Sequence, residues 1–445
     1  MRQNLTRVLL YFVLDNVFRQ IYTCTINLPE KGFAMDYIKR HMESYIQQAD
    51  RAFKALLVTG ARQVGKSTLL GHVYPDRPYL TFDDPLILEQ ARTEPGLFFR
   101  NHPYPITLDE VQHIQELFPY IKMACDASDE RGIFFLTGSQ SFQLMKHVSE
   151  SLAGRIAIFE LSGLSLREID GIDFHQPFIP SEAYIEQRGK HFRPHQHIWS
   201  LIHKGSYPAL YKADVDWQLF YSSYVKTYLD RDVNDLLQVK NRLKFMRFLT
   251  AMAARTGQML NYSKVAEQAD VTVATAKEWT SVLEASGLVY ILPPFSNSAL
   301  SRAIKTPKLY FRDTGLVCYL AKYLTPELAM NGAMSGELFE TFVVSEILKS
   351  FSNAGVDYRM NVSYYRGRDK TEQRESEIDL LIEDGDTIYP VEIKMSANPK
   401  LTMTNSFDVI DKIKNHRRGL GIVLCMYSQK LWLNERVVAL PVEYI

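Results

Sequence analysis

The sequence predicts an α/β chain: a doubly wound parallel sheet first, then a helical and winged-helix region, then a second α/β domain. Three observations carry this expectation. The run Gly60-Ala61-Arg62-Gln63-Val64-Gly65-Lys66-Ser67-Thr68 matches the phosphate-loop pattern G-x-x-x-x-G-K-[S/T] without departure. Short apolar runs alternate with helical patterns on either side of it. Far downstream, two apolar strand patterns flank the turn signal Asp384-Gly385 and bring acids and a lysine close together.

At 445 residues the chain is too long for one core, and about three domains is the natural expectation. Formal net charge is zero, so the whole molecule has no electrostatic footprint for nucleic acid, and any DNA-contacting surface must be local. The four cysteines (Cys24, Cys125, Cys318, Cys425) are scattered without a C-x-x-C pair. That spacing argues against a zinc site or disulfide framework and fits a reducing cytoplasm. The apolar run Val8 to Leu14 falls far short of the ~20 residues needed to cross a bilayer, so no membrane is expected. Met35-Asp36-Tyr37-Ile38 reads as an ordinary beginning, and residues 1–35 are expected to be a dispensable extension outside the core.

A helix is expected over residues 36–50, and Ala55 to Thr59 reads as a buried strand that enters the loop. Gly60 and Gly65 let the backbone curl so that successive N–H groups face one anion, and the helix beginning at Thr68 adds its dipole. Within that cradle Lys66 reaches the β- and γ-phosphates, and the Ser67 hydroxyl ligates Mg²⁺. Pro78 to Asp84 reads as a second strand. Pro105 to Glu110 is a third, ending in two acids: Asp109 beside the metal and Glu110 beside an attacking water. A fourth strand, Gly132 to Thr137, runs into Gly138-Ser139, and Ser139 is the candidate reader of the γ-phosphate. Ser151-Leu152-Ala153-Gly154-Arg155 precedes a fifth strand, Ile156 to Leu161. The ligands of this P-loop NTPase-type sheet are therefore ATP and Mg²⁺, held at its carboxyl edge.

The order GARQVGKST, TLDEVQ, FFLTGSQS, SLAGR and LSGLSLREI resembles a family of prokaryotic AAA+-type ATPases. Those proteins carry a C-terminal domain of unknown function whose core is similar to PD-(D/E)xK nucleases. The resemblance covers about residues 36–445. It implies that Arg155 senses phosphate or acts as an arginine finger, in its own subunit or a neighbouring one.

Residues 171–241 read as a helical, lid-like connection and 242–300 as a winged helix. In the latter, Val273 to Ser286 would be the recognition-type helix, offering Thr275, Lys277, Glu278 and Thr280, a meagre supply for phosphate neutralisation. Residues 301–445 form the last domain. There Gly336 to Lys349 is helical and places Glu340 on an apolar flank, where a carboxylate needs a partner or a metal. The strands Glu377–Ile382 and Tyr389–Lys394 carry Asp379 and Glu392-x-Lys394, a PD-(D/E)xK pattern in a restriction-endonuclease-like fold. Its chemistry is metal-assisted phosphodiester hydrolysis: Glu340, Asp379 and Glu392 hold Mg²⁺, and Lys394 orients water or balances charge. The expected function is an Mg²⁺-dependent ATPase that drives or gates this domain on DNA. The alternative is a nucleotide-dependent switch that binds protein or DNA without cleaving it. Further copies of the chain are candidate partners.

Overall fold

The computed structural model describes residues 37–139, 142–212, 214–228, 242–296, 306–368 and 375–445. The expected extension, residues 1–35, lies outside them. Helix α1 (Glu43–Asp50) leads into β1 (Ala55–Thr59), all five residues of which are buried. The helix expected from residue 36 is therefore shorter at its start. The phosphate loop follows, then α2 (Lys66–Val73), β2 (Tyr79–Thr81), β3 (Ile106–Asp109), α3 (Phe118–Ala127), β4 (Phe134–Thr137) and β5 (Ile156–Glu160). These five strands form one parallel sheet in the order β2-β3-β4-β1-β5. Placing β4 between β1 and β3 leaves a cleft at the carboxyl edge, bordered by the loop on one side and by Asp109 and Glu110 on the other. The second strand stops earlier than expected because Asp84 is used differently: its carboxylate accepts from the Leu86 amide and caps the helix Pro85–Thr93.

In the middle of the chain, α4 (Trp217–Tyr228) precedes three further helices, α5 (Arg242–Ala253), α6 (Tyr262–Ala269) and α7 (Val273–Ala285). Asn261 caps α6 and Thr272 caps α7 through their side-chain oxygens. A three-stranded antiparallel sheet in the order β6-β8-β7 accompanies these helices: β6 is Gln258–Met259, β7 Val289–Leu292 and β8 Lys308–Phe311. Strand β8 lies past the boundary expected at residue 300, yet it pairs with both β6 and β7.

The last segment opens with α8 (Ser335–Ser352), an almost wholly buried helix. A mixed seven-stranded sheet follows, along the path β14-β15-β13-β11-β10-β9, with β12 (Arg417–Arg418) beside β11. Its members are β9 (Val362–Arg368), β10 (Glu375–Asp384), β11 (Thr387–Lys394), β13 (Gly421–Cys425), β14 (Leu431–Asn434) and β15 (Val437–Pro441). Asp384 pairs with Thr387, so the hairpin turn is Gly385-Asp386, one residue later than the signal read from sequence. Residues 38–445 form one compact unit, and a single core runs from β1 through the middle helices into α8 and the last sheet. No helix among the described residues is long and apolar enough to cross a membrane.

Candidate functional site

The loop between β1 and α2 takes the conformation its glycines permit. Gly60 has φ +141° and lies so close to the next strand that a Cβ there would fall 2.1 Å from the Leu161 carbonyl oxygen. Gly65, at φ +96°, turns the chain into α2. Arg40 supports the loop from below. Its guanidinium donates to the carbonyls of Val64 (2.9 Å) and Ser162 (2.7 Å) and pairs with Glu168 at 3.0 Å. Burial pushes the Glu168 carboxyl up, but Arg40, His41 and two backbone amides outweigh it and hold its pKa at about 2.

Lys66 is buried and donates to the Gly60 and Ala61 carbonyls at 3.2 and 3.0 Å, which keeps its ammonium over the loop. Ser67 donates to Asp109 at 2.8 Å. Asp109, on the last residue of β3, also accepts from Thr137 at the end of β4 and from Tyr79 on β2 at 2.5 Å. Three neighbouring elements thus fix one carboxylate. Its hard oxygens, together with the Ser67 hydroxyl, suit a magnesium ion bound with nucleotide. Glu110 follows in a left-handed backbone conformation, φ +58° and ψ +43°, which is uncommon outside glycine. Its amide donates to Thr137 at 3.4 Å, and the Gln112 amide donates to its carboxylate. The bend turns Glu110 away from the strand and onto the wall of a cavity of about 560 Å³. Arg62, Gln63, Gly65, Lys66, Ser67 and Thr68 line one side; Pro208, Ala209, Lys212, Tyr224 and Thr227 from the middle segment line another. The Ser139 hydroxyl is enclosed and has no hydrogen-bond partner among the described residues.

Arg155 is not brought to this cavity. Its carbonyl accepts from the Lys54 and Ala55 amides, which places it where β1 and β5 begin, at the amino edge of the sheet. There its guanidinium donates to Asp126 at 2.5 Å and to the Ala153 carbonyl at 3.0 Å. A role for Arg155 on its own subunit's nucleotide is therefore corrected: the phosphate loop lies at the opposite end of β1.

A second cluster lies between α8, β8, β10 and β11. Glu340, Asp379, Glu392 and Lys394 do converge, and two further residues join them from β8. Lys308 lies 2.8 Å from Glu377, 3.4 Å from Glu340 and 3.7 Å from Asp379. Tyr310 donates to Glu340 at 2.5 Å. Lys394 pairs with Glu392 at 2.6 Å and with Asp379 at 3.3 Å, and the Ile393 amide donates to Asp379 at 2.9 Å. Burial first, and the nearby Asp379 carboxylate second, push Glu340 and Glu392 up to about 7. Both lysines are raised despite burial because carboxylates surround them. Among the described residues, no group of three or more His, Cys, Asp or Glu is arranged to hold a metal ion. The lysines stand between the acids instead.

The expected recognition helix offers less than its sequence promised. Thr280 is buried and turned back onto the Ala276 carbonyl at 2.7 Å, and Lys277 lies over the Tyr262 ring. Upstream, Lys244 is paired with Asp270 at 2.8 Å.

Comparison with known families matches residues 52–170 to an AAA domain, 195–327 to a domain of unknown function (DUF8612) and 335–445 to another (DUF4143). The parallel sheet and its loop are those of a P-loop ATPase-type domain. Two mycobacterial proteins, "Uncharacterized protein Rv2008c" of Mycobacterium tuberculosis and "Uncharacterized protein Mb2031c" of Mycobacterium bovis, are each 27% identical over 413 residues. Those alignments cover 92% of this chain and 84% of each relative. Among solved structures, the Walker-type ATPase PABY2304 of Pyrococcus abyssi is similar at 13% identity and a TM-score of 0.41. It covers 64% of this chain and 96% of its own.

Proposed function

We propose that this chain binds and hydrolyses ATP with Mg²⁺, and that its nucleotide state gates the C-terminal acid cluster. The observation that carries the first half is the joint placement of Lys66, Ser67 and Glu110 on the wall of one open cavity, with Asp109 bonded to Ser67 behind it. When bound, Mg²⁺ would be held by Ser67 and Asp109 and would neutralise phosphate charge. Lys66 meets the β- and γ-phosphates; Ser139, enclosed and outside the residues that line the cavity, would have to turn towards it to read the terminal phosphate. Glu110, fixed by Gln112, takes the proton from the attacking water. The test is nucleotide binding by Lys66→Ala: affinity should fall at least about 100-fold, because the loop loses its phosphate-facing cation. Unchanged affinity would refute the reading.

For the C-terminal cluster, the reading as a metal-dependent nuclease site rests on the three convergent acids, Glu340, Asp379 and Glu392, and on Lys394. A specific observation favours the non-nucleolytic switch: Lys308 and Lys394 already stand among the acids and balance part of their charge. Calorimetric titration of the full chain with Mn²⁺ separates the two readings. A site-specific heat lost in Asp379→Asn supports the nuclease reading; no binding at millimolar metal supports the switch. DNA, a protein and further copies of the chain are the proposed partners.

A further inference from the structure

Strand β8 carries a row of polar side chains on one face. Lys308 and Tyr310 alternate with Leu309 and Phe311 and project from the same face, and Arg312 follows directly after the last residue of the strand. They reach two different centres. Lys308 and Tyr310 enter the acid cluster, bonding to Glu377, Glu340 and Asp379. Arg312, at the far end, pairs with Glu160 and donates to the Tyr358 hydroxyl. Glu160 is the last residue of β5 and sits in register beside Thr59, the residue before the phosphate loop. It also receives Arg359 at 2.9 Å and Tyr358 at 3.0 Å.

The contacts around Arg312 leave little freedom. Its amide donates to Leu288 at 2.9 Å, and its carbonyl accepts from Ser345 of α8 at 2.8 Å. The turn before Leu288 touches the loop itself: a Cβ on Gly287 would lie 3.3 Å from the Ala61 amide nitrogen. The phosphate loop therefore meets the middle segment at Gly287 and, through Leu161 and Glu160, at Arg312. Lys308 to Phe311 is paired strand and the Arg312 amide bonds to Leu288 just beyond it, so about 13 Å of chain joins Arg312 to Lys308. Neither Lys308 nor Tyr310 belongs to the segment matched by the C-terminal family, so the acid cluster is completed from outside it.

We propose that Lys308 and Tyr310 are positioning residues for the acid cluster, and that β8 transmits the state of the phosphate loop to them through the Glu160–Arg312 pair. This rests on the reading of Glu340, Asp379 and Glu392 as a working site. Nucleotide that shifts the loop against Leu161 and Gly287 shifts Arg312. Because β8 is held on both sides by β6 and β7, it moves as a unit, and the ammonium of Lys308 moves against Glu340 and Asp379.

Hydrogen exchange on the full chain tests this, with and without adenylyl imidodiphosphate and Mg²⁺. In the parent, the analogue should slow exchange over residues 60–68 and change exchange over 375–394 by about 3-fold or more. Arg312→Lys keeps the charge but loses the forked contact to Glu160 and Tyr358; it should retain the first response and lose the second. Tyr310→Phe, which removes one hydroxyl and little volume, should shrink the second response while melting close to the parent. A response at 60–68 with none at 375–394 in the parent overturns the proposal and leaves the ATPase reading standing. So does a full response at both segments in Arg312→Lys. No response at 60–68 contradicts nucleotide binding itself, and the proposed link falls with it. The Mn²⁺ titration above judges the acid-site reading separately.

Discussion

Glu160 and Glu340 are both carboxylates enclosed by this fold, and their surroundings drive them in opposite directions. Burial pushes Glu160 up, but Arg312 and then Arg359 outweigh it and hold its pKa at about 2. Burial pushes Glu340 up as well; Asp379 adds to that, and the nearby Lys308 does not offset it, leaving Glu340 at about 7. The difference is one of charge ratio. Glu160 is met by two guanidiniums and a phenol, one guanidinium shared with the exposed Asp357, whereas Glu340, Glu377, Asp379 and Glu392 share the ammonium groups of Lys308 and Lys394. A satisfied ion pair at a junction serves as a fastening. A partly satisfied group of acids, reachable from solvent through the 40%-exposed Lys394 side chain, is what a working site resembles.

Breaking each centre should therefore have unequal consequences. Glu160→Ala leaves Arg312 enclosed without its carboxylate and should cost about 3–5 kcal/mol in denaturant unfolding. Glu340→Gln instead relieves crowding among acids, and its stability should stay within about 1 kcal/mol of the parent or rise. Equal destabilisation by the two substitutions would contradict this difference in charge ratio.

Acid titration sharpens the same contrast. Glu160 and Glu168 both titrate near 2 in the folded chain, below the ordinary value of 4.5. A carboxylate depressed in this way contributes stability that is fully present above about 4.5 and lost as pH falls towards 2. Melting temperature should therefore drop steeply over that interval, and Glu168→Gln should flatten the drop. The smallest effect belongs to Arg155. Its partner Asp126 is exposed and the pair is screened by solvent, so Arg155→Ala should leave the unfolding midpoint close to that of the parent. Turnover should stay within about 2-fold, because no transition-state charge develops near it. A large loss of turnover in mixed subunits would restore a role for Arg155 on a neighbouring subunit's nucleotide.

What could be read from sequence here was local. Ala55 to Thr68 gave strand, loop and helix because the motif is contiguous and its glycines have a single geometric use. Asp109 and Glu110 were legible because an apolar strand must end in something, and acids there face the loop. The residues that fix them were not: Tyr79, Thr137 and Gln112 reach Asp109 and Glu110 from two other strands and a turn, and no spacing announces that meeting. Arg155 misled for a related reason. It lies close in sequence to the expected phosphate sensor, but in a parallel sheet the start of a strand and the end of its neighbour lie at opposite edges. The C-terminal quartet was legible through Asp379 and the Glu392-x-Lys394 spacing on one strand face. Lys308 and Tyr310 were hidden because β8 pairs with β6 and β7 of the middle segment, and no spacing ties it to the strands that carry the acids.

The most direct test of the central claim is ATP hydrolysis by Glu110→Gln. The substitution keeps the shape of the side chain and its contact with Gln112 while removing the group that accepts the proton. Nucleotide affinity should remain within about 3-fold of the parent, and turnover should fall by about 10²-fold or more. A Glu110→Gln chain that hydrolyses ATP at the parent rate would contradict the assignment of this cavity and its base.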